Sequence, residues 1–392
     1  MQPWSVIIAT RNRAAALAET LRRLPAPGGV VGEVIVVDNG SSDGSASAAE
    51  RAWPGAQVLR VRRNLGPAGK QLALERARFP LVAALDDDCA PAPWTWDEMA
   101  RRFGAAPDLA CAGWGVCVPE GGRECGALPR AFVGAAVAFR RGELLGAGGY
   151  TARLFMQAEE YDILFRLSAR GGRCEVFHDL PALHRKSALA RSGRRTIYLD
   201  ARNNLALIRR WAPSAWARAY AEDYSQRYLA LGRARGCAGE AARGLKDGRG
   251  APWLGAGDPL AWPVFDELFG VTRIAREFER LAGDGVRRVL LAPLGKNVLA
   301  YWRGARAAGI EVVAVADDRF LRAGVRRYRG AQVVSVDEAK TLAFDAVVIA
   351  NSAPVFAAEA RERWRGLVGV EVAAPDALGG GGGMFQEAPA AA

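Results

Sequence analysis

Histidine is scarce in this 392-residue chain, which has only His178 and His184, and its six cysteines (Cys89, Cys111, Cys117, Cys125, Cys174 and Cys237) include no C-x-x-C pair. That poverty argues against a structural zinc site, and the thiols are expected to be reduced and mostly structural. Also missing is any apolar run near the roughly 20 residues that span a bilayer. Met1 leads almost directly into Trp4-Ser-Val-Ile-Ile-Ala9, with no charged n-region or cleavage site, so a cytoplasmic location is expected. No recognised nucleic-acid motif accompanies the net charge of +11, and nucleic acid is not an expected partner.

What is present is an ordinary globular balance, 50% hydrophobic and 24% charged, on a chain long enough for two or three cores. The organising stretch is Leu81-Val-Ala-Ala-Leu85 followed by Asp86-Asp87-Asp88. Five apolar residues bounded by charge read as a strand buried on both faces, with the acids at its carboxyl end, where open α/β sheets bind ligands. Adjacent carboxylates repel, and a cation would hold them together. A solvated acidic turn is the plain alternative.

Around it the chain alternates. Residues 4–9 read as a strand entering Thr10-Arg-Asn-Arg13 and a helix from Ala14 to Leu24, closed by Pro25 and Pro27. Gly32 to Asp38 is a second strand ending in a carboxylate, followed by a turn where Asp43 or Ser45 caps a helix over Ala46 to Ala52. Gln57 to Val61 is a third strand, and Asn64-Leu-Gly-Pro-Ala-Gly-Lys70 opens the next helix. Glycines there let backbone approach a diphosphate, to which Lys70 adds charge. This spacing predicts a doubly wound α/β sheet.

Thr10-Arg-Asn-Arg13, Val36-Val-Asp38-Asn-Gly-Ser-Ser-Asp43-Gly-Ser, Asn64-Leu-Gly-Pro-Ala-Gly and Leu85-Asp-Asp-Asp88 resemble the ordered motifs of family 2 glycosyltransferases of the GT-A fold. The likeness runs on through Phe132 to Arg141, Gly148-Gly-Tyr150, Glu159-Glu-Tyr-Asp162 to Leu167, Gly171 and His184, covering roughly residues 4–210. The resemblance implies a Rossmann-like mixed sheet and inverting transfer from a nucleotide-diphospho-sugar to a glycan or lipid-linked acceptor, in polysaccharide or lipid-linked oligosaccharide assembly. It implies that Thr10, Arg11 and Arg13 line the nucleotide cleft with Asn64, Gly66 and Lys70. Asp38 would take the base, and Asp87 would face the sugar. Asp86 and Asp88 would hold Mn2+ or Mg2+ with His184 as a further ligand, although spacing leaves open which two of the three aspartates bind. Glu160 would be the general base, with Glu159 or Asp162 holding its geometry; many members carry Asp at this place, one methylene shorter. Acids in a first helical turn also favour the macrodipole, the structural alternative for all three. His178 reads as structural. Trp94, Trp96 and Trp114 either shape the sugar pocket or pack a core.

The charge is uneven: residues 185–249 hold 13 Arg and 2 Lys against 5 acids, a net +10. Trp216, Tyr220, Tyr224 and Tyr228 form a stripe on a predicted helix. Core packing explains it, and a peripheral contact of this segment with anionic membrane at the inner face of the cell membrane is the alternative. The expected organisation is a catalytic domain over 1–190, a basic helical extension over 191–246, and a linker and helix over 247–284. A small Rossmann-like domain follows over 285–378, then a disordered tail over 379–392. Pro293-Leu-Gly295-Lys-Asn297 stands where G-x-G-x-x-G would bind a dinucleotide, and Asp317 where an acid would hold a ribose. Rival functions are a nucleotidyltransferase, disfavoured because no glycine follows the first strand, and a non-catalytic nucleotide-sugar-binding scaffold.

Overall fold

A computed structural model describes residues 3–186, 193–251, 254, 258–367 and 371–373. In chain order the first unit runs β1 (Trp4–Thr10), α1 (Ala14–Arg22), β2 (Val31–Asp38), α2 (Ser45–Ala52), β3 (Gln57–Arg60), α3 (Lys70–Arg76), β4 (Leu81–Asp86) and β5 (Cys89–Pro91). It continues with α4 (Thr95–Ala105), β6 (Leu109–Cys117), β7 (Ala136–Arg140), α5 (Arg141–Gly146), α6 (Glu159–Ala169) and β8 (Arg173–His184). These eight strands make one mixed sheet of order β3-β2-β1-β4-β7-β6-β8-β5. The first four strands are parallel, and β7 enters antiparallel to β4.

Register explains the convergence of polar groups. The buried apolar runs of β1, β2 and β4 pair so that Ala9 lies beside Asp86 and Thr10 beside Asp38, which puts the strand-end acids along one sheet edge. β5 then pairs antiparallel with the end of β8, Cys89 opposite His184, and this carries the histidine to the acidic tip. Trp96 and Trp114 pack with Trp4 at ring distances of 5.5–6.3 Å and are fully buried, so they belong to the core and not to a sugar pocket. Trp94 is 60% exposed.

Three helices follow, α7 (Gly193–Trp211), α8 (Ser214–Ala234) and α9 (Ala238–Arg249), and then α10 (Trp262–Phe269) and α11 (Val271–Gly283). The sequence pattern reads as one helix near 265–281; Gly270, with φ +65°, breaks it in two. The stripe of α8 is interior, with Trp216, Tyr220, Tyr224 and Tyr228 all buried. Tyr220 lies 5.3 Å from the Phe269 ring and Trp216 5.8 Å from Phe265, while Phe165 of α6 stacks on Phe269 at 6.1 Å. Each large ring removed from water contributes roughly 1.5–3 kcal/mol, so this face is a joint between the two sheets. The aromatic row therefore offers nothing to a lipid surface. No helix among the described residues is long and apolar enough to cross a membrane.

The second sheet is formed by β9 (Arg288–Ala292), β10 (Glu311–Ala316), β11 (Arg327–Tyr328), β12 (Ala331–Val334), β13 (Ala346–Ile349) and β14 (Glu371–Ala373), in the order β11-β12-β10-β9-β13-β14. Its helices are α12 (Val298–Ala307), α13 (Asp318–Arg322), α14 (Val336–Ala339) and α15 (Pro354–Arg365). All pairings but β11 with β12 are parallel, the Rossmann-like pattern. The tail over 379–392 lies outside the described residues.

Candidate active site

At the tip of β4 the three aspartates have separate environments. Asp87 and Asp88 are buried, whereas the Asp86 side chain is 38% exposed toward solvent. Arg13 bridges the inner pair, 2.9 Å from Asp87 and 3.0 Å from Asp88, and Thr10 donates to Asp87 at 2.7 Å. Burial, with the neighbouring acids, still pushes Asp87 up to about 6. Asp87 is thus bound to the strand end by Thr10 and Arg13. The buried ammonium of Lys70 lies 2.8 Å from Asp86 and donates to the Gly134 carbonyl at 3.3 Å. Lys70 therefore neutralises the sheet edge from beneath.

One oxygen each of Asp86 and Asp88 and one nitrogen of His184 lie within 4.8 Å of one another. Nε2 of His184 is 3.2 Å from Asp88, and its Nδ1 is 2.6 Å from Glu124, which also pairs with Lys186 at 2.8 Å. Burial works against the imidazolium, but the bonds to Asp88 and Glu124 prevail and hold His184 up to about 9. As the imidazolium, His184 donates from both ring nitrogens. The Nδ1–H bond to Glu124 fixes the ring so that, on loss of the other proton, Nε2 is the nitrogen open to a metal beside Asp86 and Asp88, the arrangement by which an outer carboxylate prepares a histidine as a ligand. Two carboxylates and one imidazole are a donor set suited to Mn2+ or Mg2+. Glu124 lies in the loop after β6, and no local sequence pattern points to it.

Across the cleft, α6 presents its first turn. The chain enters it through Phe155, Gln157 and Ala158 with φ of +64° to +69°, a conformation that costs side chains energy. Asn203 of α7, fully buried, holds this turn by donating to the carbonyls of Leu154, Met156 and Gln157 at 2.8–3.0 Å. Glu159 is pushed up to about 8, first by burial and then by the charge of Glu160. Its Oε2 is buried with no hydrogen-bond partner, as suits a protonated carboxyl. Glu160 is raised to about 7, again by burial, with the charge of Lys296 opposing the rise. Asp162 is turned away from the other two. It accepts from Thr151 at 2.6 Å and from Arg166 at 2.8 Å, and Arg166 in turn holds the Gly149 carbonyl.

On the nucleotide side, Asp38 is buried and accepts from the amide of Ser41, ordering its turn. Asp43 serves the starts of two helices: its Oδ1 accepts from the Ser45 amide that opens α2, at 3.0 Å, and its Oδ2 from the Ala14 amide that opens α1, at 2.9 Å. Asn64 folds its own loop by accepting from the Gly66 amide. Gly66 has φ +63°, and a Cβ there would meet the Phe155 carbonyl at 2.6 Å, so close packing against the α6 entry demands this glycine. Arg11 is exposed. His178 sits on β8, its backbone against Gly115.

Residues 5–140 match the model of the family described as glycosyl transferase family 2. A curated relative, the succinoglycan biosynthesis protein ExoU of Rhizobium meliloti, is 27% identical over 202 residues, 44% of this chain. The chain covers 59% of the length of that relative. Among solved structures, S. aureus TarS 1–349 in complex with UDP-GlcNAc is 15% identical with a TM-score of 0.49, covering 79% of this chain and 92% of that one. A mannosyltransferase from Pyrobaculum calidifontis in complex with GDP-Man and Mn2+ is 20% identical with a TM-score of 0.43, covering 70% of this chain and 81% of that one. The family match spans every strand from β1 to β7 and includes the β4 tip, but neither α6 nor His184.

Proposed function

We propose that the protein transfers a sugar, with inversion, from a nucleotide-diphospho-sugar to a hydroxyl of a glycan or lipid-linked acceptor. The observation that carries this reading is the nearness of two acid sets. Asp86, Asp88 and His184 converge at the β4 tip, and Glu159 and Glu160 open α6 near enough that the charge of Asp86 adds to burial in raising their proton affinities. Asp86, Asp88 and His184 would hold Mn2+ or Mg2+, which when bound supplies Lewis-acid stabilisation of the departing diphosphate. Arg13 and Lys70 position those carboxylates and offset their mutual repulsion. Glu160 is the member of the second set whose ionised form is favoured, through Lys296, and it takes the acceptor hydroxyl proton. Glu159, protonated near neutrality, keeps a second negative charge out of the acceptor side. Asp162 anchors the helix that carries both.

The test is donor turnover by the purified chain with Mn2+ or Mg2+ and a panel of UDP-, dTDP- and GDP-sugars. Release of one nucleoside diphosphate that depends on metal and disappears in Asp88→Ala is the expected result. No metal-dependent donor binding by calorimetry, for any member of the panel, overturns the reading and favours a scaffold.

A further inference from the structure

A second cavity, of about 630 Å³, opens at the carboxyl edge of the C-terminal sheet, between it, α8 and the Cys125–Ala127 stretch of the first unit. We propose that this cavity binds a small phosphate-bearing molecule, of the size of a mononucleotide or a sugar phosphate, independently of the transferase reaction proposed above. Its volume lies in the range of small-molecule sites, roughly 300–1,000 Å³. Its position is where the strand order reverses, β9 leading through α12 to β10 on one side while β13 pairs on the other, the place where open α/β sheets receive ligands.

The lining fixes the class of ligand. Five cations, Arg227, Lys296, Arg319, Arg322 and Arg363, meet three acids, Asp317, Asp318 and Glu359. Two of the acids are already committed to the frame. Asp317 accepts from the Leu294 amide with one oxygen and from the Phe320 amide with the other, at 3.0 and 2.9 Å. Asp318 accepts from the Val336 amide at 3.0 Å and lies 3.6 Å from Arg363. Arg319 and Arg322 are exposed, and their guanidinium groups form no hydrogen bond or ion pair among the described residues. The cavity therefore carries surplus positive charge held by a rigid rim, which suits an anion with several acceptor oxygens. Phe356, 47% exposed, offers a ring on the same wall for a base or sugar face.

The same geometry commits to the frame the residues that would hold a dinucleotide in the usual way. Asp317 sits at the end of β10, where a ribose-binding acid is expected, but both of its oxygens are occupied by backbone amides. Gly295 is required by a close approach of chain to chain, since a Cβ there would meet the Ala350 carbonyl at 2.4 Å, and this leaves no cradle for a pyrophosphate at that glycine. Phosphate recognition falls instead to the arginines of α13 and α8.

Calorimetry on the full chain tests this, with Asp88→Ala and EDTA present so that the cleft at the β4 tip is silenced. The probes are pyrophosphate, UDP, glucose 1-phosphate and, as the uncharged control, glucose. At least one phosphate-bearing probe is expected to bind at one per chain, and Arg319→Ala/Arg322→Ala should weaken it tenfold or more; glucose should not bind. UDP as the best probe assigns a nucleotide, and glucose 1-phosphate as the best assigns a sugar phosphate. Arg319→Gln serves if the double variant melts early. Absence of binding by every probe at millimolar concentration, or binding indifferent to the arginines, overturns the proposal. Failure here leaves donor turnover untouched, so the two proposals fall separately.

Discussion

The ammonium of Lys296, from the loop after β9, stands 3.8 Å from the centre of the Tyr161 ring, beside Glu160 on α6, and donates to Asn204 of α7. The C-terminal unit thereby places a cation against the acidic start of α6. Burial draws Lys296 itself down to about 8, and the nearby charges of Glu160 and Asp200 oppose that fall.

Replacing that lysine should change the pH dependence of transfer. Glu160 must be ionised to accept a proton, so kcat/KM is expected to rise with pH through about 7. Lys296 favours the ionised form, and Lys296→Met removes that help, moving the rising limb to higher pH by about one unit or more. Activity lost near pH 6.5 should return toward pH 8. A limb that stays in place would show the two charges to be uncoupled.

Glu160→Gln and Glu159→Gln should separate the roles of the two acids. Loss of a general base costs on the order of 10²–10⁴ in rate, so single-turnover transfer by Glu160→Gln should fall by that much. Glu159, already protonated near neutrality, should tolerate the amide with less than about a tenfold loss. The opposite ranking would move the base to Glu159.

Glu124→Ala should weaken metal binding without touching a metal ligand. Outer carboxylates that orient a ligating histidine are worth about 10–100-fold in affinity, and Glu124 holds His184 Nδ1 at 2.6 Å. Manganese titration followed by electron paramagnetic resonance would read this directly. An unchanged affinity would remove His184 from the ligand set.

Asn203→Leu should both destabilise the chain and slow it. Three carbonyls of the turn before α6 lose one shared amide donor, and buried groups left unpaired cost about 1–3 kcal/mol each at most. Thermal melting should shift down by several degrees. Transfer should also fall in the fully folded population, because the left-handed entry sets where Glu159 and Glu160 begin.

The strand tips were legible because each is an apolar run stopped by a carboxylate, and the sheet edge follows from pairing such runs in register. Asp86, Asp88 and His184 do meet at that edge, drawn together by β5 against the end of β8. What escaped sequence reading depends on contacts between distant segments. Glu124 reaches His184 from 60 residues away, and Lys296 reaches α6 from another sheet. Asp43 bonds back to Ala14 as well as forward to Ser45 of its own helix, since folding brings the start of α1 beside that turn. Lys70 and Gly66 stand in a phosphate-like motif, yet one is a buried counter-ion and the other a packing glycine. Asp317 shows the same limit, its place on β10 being readable and its occupied oxygens not.

The row of rings on α8 has a consequence for how the chain is made. A ribosome releases the whole acidic cleft before it has synthesised Phe265, Phe269 and Asn297, the partners that cover Trp216 and Tyr220. During that interval the nascent chain displays an uncovered aromatic strip that water does not tolerate. A fragment cut after Arg249 would keep every carboxylate named at the β4 tip and on α6 and remain in that unfinished condition, prone to clump with its own kind, so α10 and the segment after it serve α8 as a built-in cover.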